Sequence, residues 1–289
     1  MRLASLIVDE SPLLAAQEGS KWLDLSAADA SLGRDVGELL RSGSDWAARA
    51  AAAMPKASAL SAEPRFRPLV PRPAKIVCLG LNDYDHAREA GYPVPEFPDV
   101  FLRVPESLLG HNEPLLRPLE STKLDYEVEL AAVIGVGGRR ISEADALAHV
   151  AGYSVFNDGS IRNYQMRTTQ WTLGKNFIGT GVLGPALVTP DELPEGASGL
   201  RLTTRVGEEL LQEGNTGSMV FGVAKAIALL SEVFAFEPGD VIAFGTPSGI
   251  GGARKPPRWL LPGERIRVAV EQIGELSNPI VDEAESKSK

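Results

Sequence analysis

The chain has 289 residues, 44% of them apolar and 23% charged, and a formal net charge of −9. That length and balance support a hydrophobic core without staples, as one large domain or a large one with a small partner. The acidic balance and the lack of a Lys/Arg cluster exclude a nucleic-acid-binding surface, and Cys78, the only cysteine, leaves neither an intrachain disulfide nor a thiolate metal cluster.

Residues 1–9 alternate in hydropathy as a strand does. Their apolar run is broken by Asp9 and Glu10, too short for a signal-peptide core. No stretch approaches the roughly 20 apolar residues that span a bilayer. A cytoplasmic protein with no membrane partner is expected. The alanine-rich run 44–54 predicts a helix, and residues 1–70 read as a small N-terminal domain. The proline-dense PRFRPLVPRPAK ends it, because proline favours extended backbone and interrupts regular structure. From there to residue 283 short β-type runs are separated by Gly/Pro turns: KIVCLG, EVELAAVIG, LRLTTRVG, DVIAFGTP and RIRVAVEQIG. Helical patterning appears only over 143–150 and 222–234. Without regular strand–helix alternation this is a strand-rich α+β domain. Residues 284–289 read as a disordered tail.

Within GLNDYDHAREAG, a helical turn brings His86 and Glu89 together at i,i+3. A carboxylate beside an imidazole orients it and raises its basicity, as a general base requires; a surface pair on a helix fits the same spacing. His111, in a loop, and His149, in an amphipathic helix, carry no such signal. In LDYEVELAAVIG, strand alternation puts Asp125, Glu127 and Glu129 on one face. Spacing alone fits a solvated outer face as well as a ligand set. Asp158 follows an apolar run where GYSVFNDGS turns, a place where an aspartate also serves as a backbone cap. Two same-face glutamates and a strand-end aspartate offer hard oxygen donors, which suit Mg²⁺, Mn²⁺ or Ca²⁺ and not zinc. Lys175, in the glycine-studded WTLGKNFIGTGVLGP, could present its ammonium to a developing oxyanion. Neither GxxxxGK[ST] nor GxGxxG occurs, so nucleotide chemistry has no support.

These segments stand in one order: GLNDYDHAREAG, LDYEVELAAVIG, GYSVFNDGSIRNYQ, GKNF with a following GP, the GNT of QEGNTGSMVF, and EPGDVIAFGTPSGIG. In that order, from about Lys75 to Glu283, the chain resembles the fumarylacetoacetate hydrolase superfamily, and FLR, NDGS and KPPRW resemble its bacterial branch. The resemblance implies a mixed β-roll around the active site, a small leading domain, and a homodimer. It also implies Mg²⁺ or Mn²⁺ held by Glu127, Glu129 and Asp158, a catalytic His86–Glu89 pair, and a catalytic Lys175. Arg162, Gln165 and Thr246 match substrate-binding positions. Phe244, Ile178 and Asn163 depart from the residues common in the family and suggest an altered, more apolar pocket.

The activity expected from the resemblance is hydrolysis of a C–C bond in a β-diketo acid, an acylpyruvate-like oxo-acid, through a metal-stabilised enolate. Decarboxylation, isomerisation and hydration use the same electron sink. A silent ligand-binding relative is the rival from another class, and retention of all six central residues stands against it.

Overall fold

A computed structural model describes residues 1–286 of the chain. Its architecture is strand-rich, as expected, with two large sheets and few helices. The larger sheet has eleven strands. From one edge, its main path runs through Lys21–Asp24, Ser11–Glu18, Arg2–Val8, Gly181–Val188, Val150–Asn157 and Val128–Ile134. It continues through Val241–Ala243 and Ile76–Gly80 to Asp99–Arg103. A second, five-stranded sheet carries Arg201–Val206, Arg265–Val270 and Gly274–Asp282 at its centre.

Val128–Ile134 lies deep in the larger sheet and is buried at every position. Both of its faces are covered, so apart from Glu129 it is apolar throughout rather than alternating. The largest core cluster lies between this strand, the second sheet and helix Val223–Val233. A second cluster joins Leu3, Leu14 and Trp46 of the first seventy residues to Ile76, Val133 and Leu187. The N-terminal strands enter the larger sheet through Arg2–Val8, which pairs antiparallel with Gly181–Val188. Among the described residues no helix is long and apolar enough to cross a membrane.

Three local expectations are corrected. Residues 143–150 form only a 3-10 turn, Ala146–His149, before strand Val150–Asn157 begins. The carbonyl of His149 accepts the amides of Gly135 and Val136, so sheet pairing takes the backbone that a longer helix would need. The run LDYEVELAAVIG is two strands, not one. Leu124–Asp125 pairs with Ser160–Ile161, whereas Val128–Ile134 pairs with Val150–Asn157. Residues 284–286 belong to a short helix, Glu283–Ser286, instead of a disordered tail, and 287–289 lie outside the described residues.

Candidate metal centre and active site

The two-strand break decides where the carboxylates go. In the antiparallel pair Val128 faces Asn157, and the amide of Asp158 donates to the carbonyl of Glu127 at 2.9 Å. Asp158 therefore sits across the strand end from Glu127, with Glu129 two residues further in. Ligand oxygens of Glu127, Glu129 and Asp158 all lie within 4.8 Å of one another. None is a solvated face: the three residues are 4%, 1% and 0% exposed. Asp125 leaves the group. Its carboxylate accepts the amides of Gly251 and Gly252 at 2.8 and 2.7 Å and Arg162 Nε at 2.7 Å. It anchors a loop and an arginine instead of facing the cluster.

Lys175 lies not in an open loop but at the end of a short helix, Thr172–Lys175, and is 2% exposed. Its Nζ donates to Glu127 Oε2 at 2.5 Å and to Asp158 Oδ2 at 2.6 Å. Gly174 makes this approach possible. A Cβ there would stand 2.4 Å from the amide nitrogen of Gln165, so only glycine lets this helix rest on Arg162–Gln165. On that second short helix Arg162 Nη1 donates to Gln165 Oε1 at 2.8 Å, and Nη2 lies 2.6 Å from Glu127 Oε1 in an ion pair without hydrogen-bond alignment. Thr246 accepts a hydrogen bond from Gln212 Nε2 at 2.8 Å and lines the same cavity.

His86 and Glu89 share helix Tyr84–Ala90. Asp83 caps its first turn by accepting the amides of Asp85 and His86, both at 2.9 Å, which satisfies donors a helix start leaves free. His86 Nδ1 stands 3.4 Å from Glu89 Oε2, and the Gly249 amide donates to Glu89 at 2.9 Å. Burial raises the carboxyl of Glu89, but His86 and that amide outweigh it and hold it below the usual range. The glutamate is thus ionised and tethered at neutral pH, able to orient the ring.

These residues line one cavity of about 390 Å³: His86, Glu89, Glu127, Glu129, Asp158, Arg162, Gln165, Lys175 and Thr246 all face it. Every predicted site residue is therefore brought together. The three departures are not: Phe244 is fully buried, Ile178 is 72% exposed, and Asn163 accepts a hydrogen bond from Ser121. None lines the cavity. The expected link from them to a more apolar pocket is corrected; other aromatics supply its apolar wall.

Arg103, the arginine of FLR at the end of strand Asp99–Arg103, entered the sequence analysis only through that resemblance and was given no site role, because a lone arginine in an edge strand carries no spacing signal. It is fully enclosed and pairs with Asp158 Oδ1, with further bonds to the carbonyl of Gly159 and Thr180 Oγ1, both at 3.1 Å. Removing one partner of a buried pair leaves a bare charge, typically at a cost of ~3–5 kcal/mol. Arg103→Met is accordingly expected to destabilise the fold by about that much, with Arg103→Lys recovering part of it, in denaturant-unfolding measurements.

The cluster fits a divalent cation on its own chemistry. Four buried carboxylates, Asp125, Glu127, Glu129 and Asp158, meet three cations, Arg103, Arg162 and Lys175. Among the described residues Glu129 is the acid without a paired cation; its Oε2 accepts the Gly245 amide at 2.9 Å. Burial, then the charges of Asp158 and Glu127, push its carboxyl well above the usual range. For Glu127, burial works in the same direction, but Arg162 and Lys175 prevail and hold it down at about 2. Hard oxygen donors with one unbalanced charge are what Mg²⁺ or Mn²⁺ coordinates.

Comparison with known proteins agrees with this geometry. Residues 75–281 match the model of the fumarylacetoacetate (FAA) hydrolase C-terminal family. A mitochondrial oxaloacetate tautomerase of Homo sapiens is 40% identical over 274 residues, covering 93% of this chain and 86% of the relative. Among solved structures, a fumarylacetoacetate hydrolase from Exiguobacterium antarcticum is 31% identical with a TM-score of 0.85, covering 98% of this chain and 99% of that one. Maleylpyruvate hydrolase from Sphingobium sp. SYK-6, solved with manganese(II) and pyruvate, has a TM-score of 0.81 at 26% identity, covering 98% and 99%. A family match over most of the chain and a fold shared with its solved members lead to one conclusion: the chain belongs to the fumarylacetoacetate hydrolase family of enzymes.

Proposed function

We propose that this chain is a metal-dependent enzyme that moves a proton at the carbon beside the keto group of a 2-oxoacid, interconverting keto and enol forms. The observation that carries this reading is the meeting, in one cavity, of a carboxylate-tethered imidazole and three clustered buried acids, of which Glu129 makes no ion pair among the described residues. The 40% identity to a protein named as an oxaloacetate tautomerase supports it. Bound to Glu127, Glu129 and Asp158, Mg²⁺ or Mn²⁺ supplies Lewis-acid stabilisation of negative charge developing on the oxygens of the oxoacid.

The remaining work falls to side chains. Glu89 faces His86 Nδ1, so Nε2 is the ring nitrogen left to take the proton from C3. As the C3–H bond breaks, its electron pair forms the C2–C3 double bond. The proton then returns to the former carbonyl oxygen, which gives the enol with no net gain or loss of atoms. Burial works against the charge on Lys175, but Asp158 and Glu127 dominate and raise its pKa. It is an ammonium throughout, suited to donate to the developing oxyanion. Arg162 and Gln165, joined by their own hydrogen bond, present a donor edge to the substrate carboxylate, and Thr246 lines the same wall.

Hydrolysis of an acylpyruvate is the second reading, supported by the likeness to maleylpyruvate hydrolase. There His86 would deprotonate water instead of C3. Proton exchange at C3 in D₂O, followed by NMR for oxaloacetate, phenylpyruvate and an acylpyruvate, separates the two. Exchange without cleavage is the tautomerase outcome, and release of two acids the hydrolase outcome. Absence of both from the Mn²⁺-loaded protein would sink either reading. Glu129→Gln is expected to weaken Mn²⁺ binding ~100-fold or more, beyond the roughly 10- to 100-fold typical of changes around a ligand. Isothermal titration measures it directly.

A further inference from the structure

The cavity is charged around the acids and aromatic elsewhere. Leu79, Phe101, Trp171, Ile250 and Trp259 also line it. Trp171 is built in tightly: a Cβ on Gly80 would stand 2.0 Å from its ring, so only glycine at that strand end leaves room for the indole. Phe101 meets it edge to face, with ring centroids 6.0 Å apart. Lys175 Nζ lies 4.9 Å from the Phe101 centroid, which places this aromatic wall directly beside the charged end.

The charges bound what that wall can receive. Five carboxylates, Glu89, Asp125, Glu127, Glu129 and Asp158, stand around or just behind the cavity with three permanent cations, Arg103, Arg162 and Lys175. Each of these cations is already paired to one of those acids. His86 must be neutral to accept a proton. A divalent cation balances the excess, and a ligand then adds the charge of its first carboxylate. A second carboxylate would be a further unbalanced charge against aromatic rings, where a buried unpaired charge is strongly disfavoured.

Resting on the proposed 2-oxoacid chemistry, we infer that this site takes monocarboxylic 2-oxoacids bearing a flat apolar group, arylpyruvates in chemical class, with the ring against Trp171. Trp171 is the specificity-determining residue, and Gly80 and Phe101 fix its plane. The preferred substrate class thereby differs from the diacid that the tautomerase relatives are named for.

Two 2-hydroxyacids that cannot enolise test this independently of activity. Phenyllactate and malate both offer a carboxylate and a hydroxyl; C3 carries a phenyl ring in the first and a second carboxylate in the other. By titration of the Mn²⁺-loaded protein, phenyllactate is expected to bind roughly 10- to 100-fold tighter than malate, given the transfer value of a buried phenyl ring. Trp171→Ala should bring that ratio down to about 1–3 as the apolar contact is lost, and Trp171→Phe should restore most of it. Malate binding as tightly as phenyllactate in the unmodified protein, or a ratio indifferent to Trp171→Ala, overturns the inference. Proton exchange with neither phenylpyruvate nor oxaloacetate, but with the binding preference intact, would remove the proposed activity and leave the aromatic subsite standing.

Discussion

His86→Ala is expected to lower C3 proton exchange of the preferred 2-oxoacid by ~100- to 10,000-fold, the range that a positioned general base contributes. Among the described residues no other imidazole lines the cavity. Glu89 also lines it, but its carboxylate is held by the Gly249 amide and the imidazole. Glu89→Gln should cost less, because it keeps a side chain able to accept from Nδ1–H while removing the charge that raises the basicity of the ring. Initial rates by NMR, with Mn²⁺ affinity measured in parallel, distinguish a lost base from a lost metal. The affinity should change little, since His86 is not among the clustered acids. Near-normal exchange by His86→Ala would remove the imidazole from the reaction.

Lys175→Met should move two quantities in opposite directions. Nζ stands between Glu127 and Asp158, 2.5 and 2.6 Å away, and partly neutralises both. Removing it leaves two buried carboxylates with less positive charge near them, so Mn²⁺ should bind more tightly. Turnover should nonetheless fall ~100- to 1,000-fold, as it does when one oxyanion donor is lost. The variant should unfold more easily without metal and regain much of that stability with it, because a ligand that binds only the folded state adds to its stability. Thermal unfolding with and without Mn²⁺, beside the exchange rate, reads all three. If metal affinity fell together with rate, Lys175 would be arranging the ligands and not serving the substrate.

Arg162, a cation held by carboxylates in the same way, has a different standing. Burial tends to lower its pKa, but Asp125 and Glu127 raise it, and through Asp125 it is linked to the Gly251 and Gly252 amides. Its position is thus set by the loop that also bears Ile250 and, further on, Trp259, both lining the cavity. This chain of contacts explains why Asp125, which leaves the acidic cluster, is still fully buried.

Local rules carried a large part of the way. Strand runs such as KIVCLG and LRLTTRVG, the helix around 222–234, and the i,i+3 spacing of His86 and Glu89 are short-range patterns, and the structure shows Ile76–Gly80, Arg201–Val206, Val223–Val233 and Tyr84–Ala90 in those places. The fixed order of long motifs pointed to the family and to nine site residues that do share a cavity. What sequence could not decide depended on partners distant along the chain. Whether LDYEVELAAVIG is one strand or two rests on separate pairings with Ser160–Ile161 and Val150–Asn157, and that break turned Asp125 away from the metal cluster. The pairing of Arg103 with Asp158, 55 residues later, and the seating of Trp171 on Gly80 have no signature in spacing. Local backbone preference and periodicity can be read from neighbours, whereas charge balance and cavity shape arise only when strands far apart in the chain are packed together.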